Sequence, residues 1–174
     1  HAVAGWLALA AAAAIANLLN DWHVGRALLQ RWALIPYLVY VCMALGYALI
    51  GLGRLSGNEM TSAGEHLLVV GSLGLAVLIV MAVAGRMHSG WGLDHRRWLP
   101  LGALLFVLAA LARAGSSTPF GAAAATAGLH AAATLWIAGW SIYLAYSLKP
   151  LSGPRPDDRG GCDEAAPVVE AATP

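Results

Sequence analysis

Residues 67–85 (LLVVGSLGLAVLIVMAVAG) contain no charged side chain. At 1.5 Å per residue, such a run covers most of the roughly 30 Å of hydrocarbon in a bilayer. Inside that layer a lone segment satisfies its own backbone N–H and C=O groups only as an α-helix. The same constraint repeats along the chain, because residues 2–19, 33–53, 98–114 and 120–147 are apolar runs of comparable length, and the uncharged run itself predicts a helix over about 65–86. Hydrophobic residues make up 59% of the 174 and charged ones only 11%. A soluble domain of this size has no interior large enough to hide that much apolar side chain. The predicted fold is therefore all-α, a polytopic transmembrane helical bundle of about five spans.

The segments between the spans carry the charge. Pro36 and Pro100 fall in the first turns of their spans, where a missing N–H costs little. From Lys149 onward the Pro, Gly and acidic content rises and helical periodicity fades, which predicts a disordered tail over 149–174. Five spans place alternate loops on two sides. One side and the tail hold Arg26, Arg31, Arg86, Arg96, Arg97, Lys149, Arg155 and Arg159, and the other side holds Arg54 and Arg113. Eight against two predicts a cytoplasmic location for the first group, in a multi-pass protein of the bacterial cytoplasmic membrane. Trp22, Trp32, Trp91, Trp98 and Tyr146 gather at the basic side, as an interfacial aromatic belt does.

Several function classes recede on these grounds. No cluster of Lys and Arg with interleaved aromatics suggests nucleic acid as a partner. Cys42 lies inside an apolar run and Cys162 in the polar tail, settings too different for a disulfide. No Ser–His–Asp set or carboxylate pair appears, which argues against hydrolytic catalysis and leaves other enzymatic roles open. The first residue is His1 and the first apolar run lacks a basic leader, so the chain reads as a processed or truncated product.

The stretch HLLVVGSLGLAVLIVMAVAGRMHSGWGL, residues 66–93, resembles the signature helix of the NnrS family, in which a histidine opens an apolar helix and a second follows it in a Leu-Gly-His-Thr-Gly loop. His66, Leu68, Gly71, Gly74, Leu78, Val80, Met81, His88, Gly90 and Leu93 fall on family positions without a gap, with Ser89 for the Thr. Departures are Val69 for a Thr, Val83 for an Arg, and Trp91-Gly92 for Arg-Pro. Pro36 and Gly46-Tyr47 resemble the family's Pro-Leu-Leu-Trp helix, with Ala44 at a frequent His position. Trp136 and Pro154-Arg155-Pro156-Asp157 resemble its closing sequence. The likeness covers roughly residues 20–160 and suggests the carboxy-terminal part of a longer chain.

This resemblance implies an integral membrane protein that binds haem and copper and serves the nitric oxide or nitrosative stress response, or denitrification. Its implied partners are the lipid bilayer, nitric oxide, and either the remaining half of a longer NnrS-like chain or further copies in a homo-oligomer. Neutral imidazole is an axial haem ligand and a copper ligand, and ionisable groups inside a membrane are costly enough to suggest function. His66 and His88 are 22 positions apart, about 33 Å along one straight helix, so they cannot share a metal. The five-span topology places His66 and His130 at similar depth near the outer face, which makes them the candidate haem pair. His130 also belongs to a stripe with Thr126, Thr134 and Ser141 that helical spacing predicts to face the bundle.

His88, His23 and His95 gather at the basic side as candidate copper ligands, with a His–Asp94 pair or solvated loop histidines as the competing readings. His130 equally reads as a buried histidine bonded to a neighbouring helix. Asp94 and Arg97 read as a solvated loop pair of little energetic worth. Gly71 and Gly74 read as close-packing positions, and Cys42 as a small hydrophobe rather than a soft copper ligand. The alternative function is a metal-free channel or carrier subunit with His130, Thr134 and Ser141 along a polar path.

Overall fold

The computed structural model describes residues 2–22, 25–118 and 123–157. Their regular structure is entirely helical, and five helices are long and apolar enough to cross a membrane. Helix α1 covers Ala2–Asn20 and packs along α2. A short 3-10 turn, Gly25–Leu29, leads into α2, Arg31–Ser56. Helix α3 covers Met60–His88, and its residues Leu67–Leu73 are wound as a π-helix. Helices α4, Trp98–Ser116, and α5, Ala125–Ser152, lie against each other.

The centre of the molecule is Phe106, completely buried on α4. Trp136 and Trp140 of α5 meet its ring edge to face, with centroids 4.6 and 5.2 Å away. Ile35, Val39 and Cys42 of α2, with Leu75, Leu78 and Ala82 of α3, close the core around it. Glycine lets the helices come this near. A Cβ on Gly71 would lie 3.1 Å from both Ala110 Cβ and Cys42 Sγ, and one on Gly74 would lie 2.7 Å from the Trp136 ring. Both glycines thus serve helix packing. The opposite faces expose Leu7, Leu45, Leu73, Leu101, Ile137 and Leu148. Acyl chains suit such a surface, whereas water would make it a large exposed apolar patch.

Three features depart from the sequence expectations. Helix α2 begins at Arg31, so Pro36 lies in its second turn rather than its first. Helix α5 does not stop before Lys149; it continues through Ser152, and residues 153–157 fold back on α3. The cause is Arg155, whose guanidinium donates to the His88 carbonyl at 2.8 Å and to the Asp157 carboxylate at 2.9 and 2.7 Å. The rest of the tail, 158–174, lies outside the described residues. Finally, the polar stripe of α5 does not face the bundle, because Thr126, His130, Thr134 and Ser141 are exposed. The inward side of α5 carries the buried Ala132, Gly139, Tyr143 and Ser147, and its Gly139 and two tryptophans fit against the Phe106 ring. Thr134 returns its hydroxyl to the His130 carbonyl at 2.9 Å, so that polar group needs no partner from another helix.

Candidate functional site

His66 stands at the junction where α3 changes from α to π winding. Its ring is half-buried, and Nδ1 lies 2.6 Å from the Ser62 carbonyl, one turn back. A carbonyl can only accept, so Nδ1 carries a proton, and the neutral form of the ring presents its lone pair at Nε2. Just after it, the wider π turn holds Ser72 buried, and Val70 borders a crevice with Arg113, Leu129, Ala132, Ala133 and Trp136. That crevice measures about 220 Å³ between α3, α4 and α5. Sequence reasoning missed the π segment. Its only trace is the run Gly71-Ser72-Leu73-Gly74, small residues that tolerate altered winding but do not announce it.

His130 is on α5 beside Leu129, yet its residue is exposed on the outer side while Leu129, Ala132, Ala133 and Trp136 border the crevice. Neither of the two candidate haem ligands is among the residues that line the crevice, which each approaches only through a neighbour on its own helix, Val70 for His66 and Leu129 for His130.

The basic end is built differently. Arg31 donates to the carbonyls of His95 and Arg96 at 2.5 and 2.6 Å, which ties the start of α2 to the loop before α4. His95 is exposed and meets the Trp32 ring edge on at 6.4 Å. It borders a groove of about 660 Å³ between α2 and α4, whose walls include Ile35, Leu38, Ala103, Leu104 and Val107. His88 is exposed at the end of α3. His23 lies outside the described residues. Among the described residues, no three His, Cys, Asp or Glu side chains form a group able to hold a metal ion.

Asp94 is not a solvated partner of Arg97. It is 6% exposed and receives Arg96 Nε and Nη2 at 2.9 and 2.6 Å and Trp98 Nε1 at 2.8 Å, with Arg86 Nη1 3.5 Å away. The Arg96 guanidinium, hydrogen-bonded to it, holds the Asp94 carboxyl well below the usual carboxylate range against the opposing effect of burial. The sequence signal was the spacing itself: an Asp with Arg two residues on and Trp four residues on at the start of a helix.

A family model described as NnrS protein matches residues 1–155 of the chain. The chain belongs to the NnrS family. That membership and the five apolar helices make it an integral membrane protein. No curated protein and no solved structure matches it. Within this NnrS chain, the matched region ends in the Arg155 clamp and includes both the His66 junction and the Asp94 network.

Proposed function

We propose that the protein is a haem-binding membrane protein of the nitric oxide or nitrosative stress response, in which the His66 imidazole would hold the haem. The observation that carries this reading is the Ser62 carbonyl on His66 Nδ1, which orients the ring and leaves Nε2 as the donor. Ligating histidines characteristically hand their other N–H to a carbonyl in this way. The apolar crevice next to the π turn suits a hydrophobic macrocycle. At about 220 Å³ it is smaller than the roughly 300–1,000 Å³ of ligand pockets, so the group would also use the open side of α5. His130 would supply a second imidazole from that side, and the helix that completes the site would belong to a second copy or to the remaining half of a longer chain. Bound haem supplies a site for nitric oxide or a one-electron carrier. The protein's part is to orient the imidazole, exclude water and set the polarity around it.

Copper rests on family membership. Among the described residues neither His88 nor His95 belongs to a group of three possible ligands, and His23 lies outside them. A metal-free channel or carrier is less favoured, because its polar path along His130, Thr134 and Ser141 faces outward.

The test is the visible spectrum of purified protein with and without dithionite. A Soret band lowered by His66→Ala and by His130→Ala, and kept in His88→Ala, is the expected result. Unchanged haem in both of the first two variants would remove the outer site.

A further inference from the structure

A second site lies at the basic end, and no histidine is among the residues that line it. Arg86 of α3, Trp91 and Arg96 of the following loop, and Ala145, Tyr146, Lys149 and Pro150 of α5 enclose a pocket of about 290 Å³. Two of its donors lack acceptors. Arg86 Nη1 and Trp91 Nε1 are buried side-chain nitrogens without a hydrogen-bond partner, and the nearest carboxylate oxygen to Arg86 Nη1, on Asp94, is 3.5 Å away and takes no hydrogen bond from it. The Nε of the same guanidinium donates to the Gly92 carbonyl at 2.9 Å. A buried donor left unmade is costly, and more so when it is charged.

The charges around the pocket do not cancel. Arg86, Arg96 and Lys149 face it with Asp94 as the anion against them, because Asp157 is already engaged by Arg155. Three cations against one carboxylate leave a net two positive charges, and each cation lies near an aromatic ring: Arg86 5.8 Å and Lys149 6.0 Å from that of Trp91, and Arg96 4.7 Å from that of Tyr146. Trp91 is itself positioned by Gly90, whose φ of +73° is a conformation few other residues adopt readily. We propose that this pocket binds a phosphoryl oxyanion, which accepts from Arg86 Nη1, Trp91 Nε1 and Lys149. Guanidinium and ammonium groups converging with an indole N–H suit a tetrahedral oxyanion with several acceptor oxygens. The place suits the headgroup of an anionic phospholipid, since basic pockets between helix ends at an aromatic belt select such lipids. A free phosphate has the same recognition chemistry.

The experiment uses the full chain in detergent. Its unfolding temperature is followed against sodium phosphate, with sodium chloride at matched ionic strength, and against phosphatidylglycerol, with phosphatidylcholine as the zwitterionic control. A rise specific to phosphate identifies the free anion, and one specific to phosphatidylglycerol identifies the headgroup; either supports the site through the stabilisation that a ligand of the folded state confers. Trp91→Phe, which keeps the ring and removes the donor, and Lys149→Gln should each weaken the response roughly tenfold or more in ligand concentration. Arg54→Gln, on the other side of the bundle, should leave it unchanged. No specific rise with either ligand, or wild-type responses in both pocket variants, would overturn the proposal.

Discussion

A carboxylate in a charged loop is ordinarily solvated, and Asp94 is buried because Arg96 and Trp98 close over it from the first residues leading into α4. Its position looked like loop because charge density was visible in the sequence and three-dimensional enclosure was not. The consequence for stability has a definite sign. The folded carboxyl titrates below the ordinary value of about 3.9, so its contribution is complete above that value and is lost as pH falls towards the lower folded pKa. Asp94→Asn removes that contribution at neutral pH and leaves Arg86, 11% exposed, short of its counter-charge. Loss of one partner of a buried pair costs roughly 3–5 kcal/mol, and the lower end applies at a loop edge. Thermal unfolding in detergent should show wild type well above Asp94→Asn from pH 7 to about pH 5, with the gap closing as pH falls through about 4. A gap that stays constant to pH 3 would mean that Asp94 is not the titrating group. Trp98→Phe, which removes one hydrogen bond to the carboxylate, should cost about 1–3 kcal/mol at neutral pH.

At the scale of the helix, apolar length was legible and facing was not. Each span is apolar nearly all round, so its periodicity says little about which side packs. For α5 the visible contrast was the polar stripe, and polar side chains in hydrocarbon are expected to turn inward. The aromatic fit prevailed: a Cβ on Gly139 would sit 2.7 Å from the Phe106 ring, so this turn of α5 has its orientation set by shape. The two faces predict different mutational costs. Gly139→Leu overpacks the centre and should cost about 1–3 kcal/mol, whereas Thr134→Leu on the outer face should change the stability of a single copy by no more than about 0.5 kcal/mol. Size-exclusion measurements on Thr134→Leu add a further readout. If a second copy covers the outer face of α5, this variant should shift the protein towards monomer and lower its unfolding temperature in a concentration-dependent way, because the partner stabilises the folded state. The π turn in α3 escaped sequence reasoning for a related reason: winding is a backbone property, and Leu67–Leu73 has the composition of any apolar helix.

Across the whole molecule, hydrogen bonds gather the basic segments at one end. Arg31 reaches the carbonyls of His95 and Arg96, and Arg155 reaches that of His88, so the start of α2, the loop after α3 and the segment after α5 share one face of the bundle. Arg54, near the end of α2, and Arg113, near the end of α4, lie towards the other. Short loops rich in Lys and Arg are retained in the cytoplasm during insertion, so this clustering predicts that the face bearing Asp94 is cytoplasmic. Single cysteines test it in a Cys42→Ala, Cys162→Ser background. An impermeant thiol reagent added to intact cells should label Ser117→Cys, at the turn after α4, and should label Arg97→Cys, in the loop before α4, only after the membrane is opened. Both positions are outside the proposed haem and phosphoryl sites, and neither side chain is buried, so labelling reports sidedness rather than unfolding. The reverse pattern would invert the bundle and move His66 to the cytoplasmic face. Labelling of both sites in intact cells would show that α4 does not cross the membrane, because these two positions are separated by that helix alone.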